Sequence, residues 1–254
     1  MNTLIIARNT FREATRDRLL VGVFVAGLVV MLGTQVLSPL ALGEWRRLTV
    51  DLGLSSVSML GLLTVLLVGT SLVAKEIERR TIYNLLSRPL ARPAYLVGKW
   101  AGLSAALAVV AFALGLALSG VLAFRGEPRF ALPVLQATYF ATLELSVVTS
   151  LAVLFSALST PVLSALYTLG FVLAGQWSSD LRTFAVKLPA ELRPLLEGAA
   201  NLLPNLPIFN VRGAAAAGEF ASAGHLGLAS AYALVYIGCV LALASAAFES
   251  RDFK

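Results

Sequence analysis

The chain has 254 residues, of which 58% are hydrophobic and 13% charged; its formal net charge is +6 and its mean hydropathy +0.83. Soluble domains carry about 25% charged residues, and a fold of this size cannot hide so much apolar surface beneath a polar coat, so a water-soluble protein is excluded and the chain must face lipid. The basic residues flank apolar runs, as they do in cytoplasmic loops, which removes nucleic acid as the expected partner. The single cysteine, Cys239, permits no internal disulfide and no cysteine-rich metal cluster; placed inside an apolar run, it reads as a small core residue.

In chain order, residues 2–18 place Arg8, Arg12 and Arg16 four apart on one helical face. Leu4, Ala7, Phe11 and Ala14 fall on another, which predicts a short amphipathic helix suited to an anionic membrane surface. This charged stretch precedes an apolar run too long for the core of a signal peptide, so the first span is expected to stay in the membrane. Since a helix needs about 20 residues to cross the hydrocarbon, six spans are expected: 19–42, 52–74, 94–124, 130–155, 162–177 and 226–248. A polar hairpin, GEWRRLTVD, separates the first two, with Trp45 at interfacial depth. The second span is dense in Ser, Thr and Gly, residues that let membrane helices approach and hydrogen-bond, and is expected to be buried or to line a path. Pro161 ends the break SALSTP and suits a helix start. Residues 178–225, with four prolines, read as short interfacial helices.

With both termini in the cytosol, twelve of the twenty basic residues lie inside, and the bias is strongest at the first span, which usually dominates orientation. The fold class expected is therefore an all-α membrane protein with six transmembrane helices, N-in and C-in, forming one domain over residues 1–254.

Residues 75–93, KEIERRTIYNLLSRPLARP, are the most charged segment. Ile77, Ile82, Leu85 and Leu86 supply an apolar side, Glu76 and Arg80 are spaced to pair at i,i+4, and Pro89 and Pro93 end the helix. Physics alone leaves two readings open: a short amphipathic helix with a partner, or a connecting loop made basic by the positive-inside rule.

The longer string KEIERRTIYNLLSRPLARPAYLVGKW resembles the cytosolic segment of ABC-2-type permeases in its order of Glu-x-Glu, Arg-Thr, Leu-Leu-Ser-Arg-Pro, Arg and Gly-Lys. ARNTFREATRDRLL resembles the family's cytosolic entry segment, and FESRDF its usual ending. The resemblance runs over the whole chain, and within the family it is nearest to the NosY-like permease subunits. It implies the membrane half of an ATP-binding-cassette exporter in a bacterial inner membrane, paired with a second permease chain, as homodimer or heterodimer, and with two separate ATPase subunits. The stretch Glu76, Ile77, Glu78, Arg79, Arg80, Thr81, Ile82, Leu85 and Leu86 would be the coupling helix seated on the ATPase. Residues 2–18, with Arg8, Phe11, Arg12 and Arg16, would be the elbow helix, and the break 156–161 a second, smaller cytosolic contact. No G-x-x-x-x-G-K-[ST] string occurs in the chain, so ATP and Mg are expected on the partner, with no cofactor or metal held here and no enzymatic chemistry of its own.

Glu144 is the one formal charge between Arg129 and Asp180. An ionisable group at mid-membrane costs roughly 2.5 kcal/mol or more and seldom faces lipid; it reads either as a substrate or proton contact or as a polar tie to a neighbouring span. Gln35 and Gln176, near the outer ends of spans one and five, read as dimer-seam or plain interfacial groups. His225 stands without a cysteine or carboxylate cluster and is a poor metal ligand candidate. An intramembrane enzyme lacks the paired groups it would need. An ion-driven carrier would show charged or broken helices in both halves, and a non-transporting membrane subunit of the same fold stays open beside the exporter.

Overall fold

The computed structural model describes residues 2–37, 44–72, 92–185, 198 and 202–249. Among them there is no strand. Helix α1 covers Asn2–Arg16, α2 Arg18–Leu37 and α3 Trp45–Leu67, the last running on into a 3-10 turn at Gly69–Ser71. Then come α4, Arg92–Phe124, α5, Ala131–Leu158, and α6, Pro161–Gln176. Helix α7, Ser178–Ala185, is followed by a 3-10 turn at Leu206–Phe209, then α8, Arg212–Ala217, and α9, Ala223–Glu249. Helices α2, α3, α4, α5 and α9 are each long and apolar enough to cross a membrane. Helix α6 has 16 residues, a length of about 24 Å against roughly 30 Å of hydrocarbon.

In the hairpin expected at residues 43–51, residues 45–51 are instead the opening of α3. No Gly or Pro interrupts Trp45–Asp51, Arg47 and Asp51 stand 3.9 Å apart one turn on, and Arg46 reaches Glu127 at 2.7 Å. That ion pair, with Arg125 stacked over Trp45 at 4.9 Å, ties the start of α3 to the α4–α5 turn at one end of the bundle. The opposite end carries α1.

The helix at the centre is α5 rather than the polar second span. Of its membrane window 67% is buried, against 39% for α3. Small and β-branched residues on every side of α5 let α3, α4, α6 and α9 all pack on it, whereas α3 turns Met59, Leu63 and Leu67 outward. Several hydroxyls of α3 and the turn that follows it fold back on their own backbone: Ser56 donates to the Gly53 carbonyl at 2.7 Å, Thr64 to Leu60 at 2.9 Å and Thr70 to Leu66 at 2.6 Å. They are satisfied locally instead of tying helices together.

Helix α4, at 33 residues, is about 50 Å long and overruns the hydrocarbon. Helix α1 packs along its first turns. The contact is a small-xxx-small crossing: a Cβ on Gly102 would stand 2.5 Å from the Ala7 carbonyl oxygen and 2.6 Å from Thr10 Cβ, and one on Gly98 2.8 Å from Ile6. The buried face of α1 thus runs through Ile6, Thr10 and Ala14. Leu4, expected on the apolar side, is 78% exposed; the face chosen is the one that fits the glycine groove, which helical spacing alone does not reveal. Arg8, Arg12 and Arg16 point away from α4 and are exposed, and Phe11 is half-buried.

The α5–α6 break is tight, as Pro161 implies. Ser164 donates to the Phe155 carbonyl at 2.8 Å and meets Ser159 at 2.9 Å. Cys239 is exposed on the outer side of α9 rather than in the core, because the inward stripe of α9 runs through Ala229, Ala233, Ile237 and Ala244. Residues 73–91, which include Glu76, Ile77, Glu78, Arg79, Arg80, Thr81, Ile82, Leu85 and Leu86, lie outside the described residues, as do much of 186–201 and the tail.

Candidate functional site

Because α6 is short, it pairs with only the second half of α5. Starting beside Leu158, it runs back until Gln176 comes level with Glu144, where Gln176 Nε2 donates to Glu144 Oε1 at 2.9 Å. Beyond that point the groove beside α5 is filled by the segment 202–217, which sequence reasoning laid along the membrane surface. Its Leu206 and Phe209 are buried in the core. Gly175 admits Pro204 so closely that a Cβ there would lie 2.8 Å from the proline ring. Apolar side chains at 206 and 209 draw this segment into the bundle, and hydrogen bonds fix it: the Asn205 amide donates to Tyr232 Oη at 2.7 Å, and His225 Nε2 meets the Ile208 carbonyl at 2.9 Å while its ring stacks on Phe140.

The re-entrant path delivers Arg212 to the interior. Its Nη1 donates to Ser55 Oγ of α3 at 3.0 Å. A cavity of about 290 Å³ opens here between α3, α5, α6 and the start of α8. Ser55, Ser58, Glu144, Gln176 and Arg212 supply its polar wall; Met59, Leu62, Leu145, Val148 and Val172 supply the larger, apolar part. Glu144 and Arg212 are both half-buried and both line this cavity. Among the described residues the two form no ion pair: the carboxylate is held by Gln176 and the guanidinium by Ser55. Ser58 lines the same cavity, and its buried hydroxyl makes no well-formed hydrogen bond among the described residues. A largely apolar chamber with a few convergent polar groups is the usual character of a small-molecule site.

Of the polar residues singled out from the sequence, the structure brings Glu144 and Gln176 together and leaves Gln35 elsewhere. Gln35 Nε2 donates to its neighbour Thr34 at 3.1 Å, while its Oε1 is buried without a partner among the described residues. Arg212 falls in the stretch 178–225 that the sequence assigns to short interfacial helices, and nothing there singles it out. No periodicity links it to Glu144 or Ser55, and the sole hint was that a mid-membrane carboxylate calls for a compensating cation.

At the same end of the molecule, Glu127 accepts from Arg46 and sits 3.2 Å from Arg129, beside an open polar cleft of about 430 Å³ lined by Glu44, Arg46, Arg47 and Arg129. No group of three or more His, Cys, Asp or Glu suited to a metal ion occurs among the described residues.

No curated protein matches the chain. The family model described as ABC-2 family transporter protein matches residues 4–253, which takes in the spans, the cavity and the segments between them. The chain belongs to the ABC-2 family of transporter proteins, the multi-pass membrane permeases that work with ABC ATPase subunits.

Proposed function

We propose that the chain is the permease subunit of an ABC exporter, spanning a bacterial inner membrane six times with both termini in the cytosol. In this reading it pairs with a second permease chain and is driven by two ATPase subunits docked at the end that carries α1. The family match over residues 4–253 carries the reading. Two contacts support it: the ion pair of Arg46 with Glu127 ties the start of α3 to the α4–α5 turn at one end of the bundle, and α1 docks on the first turns of α4 at the other. The sixth crossing is α6 together with the re-entrant segment that extends its path.

The charged segment Glu76–Leu86 joins α3 directly to α4 and is assigned as the coupling helix. A displacement imposed on it by closure of the ATPase dimer would pass to two spans at once and bias the bundle between two arrangements. Through Gly98 and Gly102 the same displacement would carry α1, which gives the elbow helix a mechanical role as well as a lipid-facing one. ATP and Mg belong to the partner, and this chain supplies the path. The NosY-like resemblance does not name a cargo.

Co-expression with ATPase genes of the same operon, followed by nanodisc purification and mass measurement, tests the reading. Two permease chains with two ATPase chains are expected. A chain that purifies alone from cells expressing every operon partner would overturn it in favour of an ion-driven or non-transporting role.

A further inference from the structure

Two opposite charges face one chamber without pairing. Opposite charges in a low-dielectric interior attract strongly, so a carboxylate and a guanidinium lining the same 290 Å³ space would ordinarily be expected to close on each other. Here each is held off by a neutral partner on a different helix: Glu144 by Gln176 of α6, Arg212 by Ser55 of α3. These bonds leave capacity facing the chamber. A carboxylate offers about four lone-pair sites and a guanidinium five N–H donors. Among the described residues Gln176 and Ser55 account for one well-formed bond each. The rest of the wall is apolar, and it runs out along Met59, which is 76% exposed on the outer face of α3.

We infer that this chamber binds an amphiphile with a zwitterionic head, its ammonium on Glu144, its anionic group on Arg212, and its chain leaving past Met59 and Val172. An acid and a base held apart by fixed partners are complementary to a ligand carrying both charges at similar separation. A head with one charge would leave the other protein charge uncompensated, and an unpaired buried charge is costly. The volume is at the small end for ligand sites and suits a head and the first part of a chain, with the remainder in lipid. Ser58, whose hydroxyl oxygen is buried and short of a well-formed hydrogen bond, lines the chamber and is placed to take part in holding the head. The inference deepens the permease reading, and rests on it where transport is concerned.

The test uses the full chain, co-purified with its ATPase partner, in nanodiscs of phosphatidylglycerol, a lipid without a zwitterionic head. Three twelve-carbon probes are titrated and bound copies counted by native mass spectrometry: dodecyl phosphoethanolamine, dodecylamine and dodecyl phosphate. The zwitterion is expected to bind roughly tenfold or more tightly than either single-charge probe, since one charge-assisted hydrogen bond is worth about 1.5–3 kcal/mol. Glu144→Gln and Arg212→Gln are each expected to abolish that preference. If Glu144→Gln does not insert, Arg212→Gln decides by the same readout. Equal binding of the three probes, or a preference unchanged in either inserted variant, overturns the inference and leaves the two charges as structural groups. The ATPase subunit is scored in each preparation. Absence of the preference in the unsubstituted chain with the ATPase retained sinks this inference alone, whereas a preference found there with no ATPase in the complex supports the site and overturns the permease reading.

Discussion

Gln176 donates to Glu144 at 2.9 Å across a separation of 32 residues, and that bond marks where the short helix α6 stops and the re-entrant segment takes over. The amide is the direct partner of the one formal charge in the middle of α5. Gln176→Leu removes it and leaves the carboxylate short of a donor. A loss of about 1 kcal/mol of stability is expected, seen as a lower melting temperature in detergent, while Gln176→Glu is expected to cost more by setting two carboxyl groups side by side.

Phe140 is fully buried and stacks on His225 at a centroid distance of 5.4 Å, joining α5 to the start of α9. Phe140→Ala is expected to lower stability by about 3–5 kcal/mol through lost contacts and a cavity. Phe124, at the end of α4, is 95% exposed, so Phe124→Ala serves as the control and is expected to leave the melting temperature nearly unchanged.

At the α1–α4 crossing, the Ala7 carbonyl lies where a side chain at position 102 would begin. Backbone cannot yield as a flexible side chain would, so Gly102→Leu is expected to lift α1 from α4. Hydrogen exchange of the amides of residues 2–16 would accelerate, with the rest of α4 still protected. Unchanged protection of α1 would show that the crossing adjusts.

Glu127 serves both Arg46 and Arg129 at the end of the bundle opposite α1. These pairs are partly exposed and solvent-screened, so Glu127→Gln is expected to cost only about 0.5 kcal/mol. That difference should shrink as salt is raised and the Debye length falls; thermal melts at low and high ionic strength check both points.

The coupling assignment predicts a loss of docking without loss of insertion. Glu76→Ala and Arg80→Ala are expected to reach the membrane at wild-type levels but to recover less ATPase on purification, with lower ATP turnover in the reconstituted complex. Wild-type recovery and turnover in both variants would remove Glu76–Leu86 from that role.

The sequence by itself determined the membrane setting, the helical class and most of the helix positions. Each rests on a local property: uninterrupted apolar runs of sufficient length, charges gathered between them, and Pro161 where a helix must start. The family resemblance was also legible, because it resides in the contiguous string of residues 75–100, and the match over residues 4–253 agrees with it. Tertiary structure decided what depends on neighbours. Helix α5 lies at the centre because other helices surround it, and α1 turns Leu4 outward because the glycine groove of α4 selects a different face. Ser56 and Thr64 of α3 bond to their own backbone, while Ser55 on the same helix accepts from Arg212. Glu144 stood out in the sequence as an expensive charge, but its surroundings did not: Gln176 reaches it because α6 is short, and Arg212 lines the same cavity because Leu206 and Phe209 bury the segment that carries it. Those distances arise from packing between remote stretches of chain, which leaves no period, motif or composition in the sequence to read.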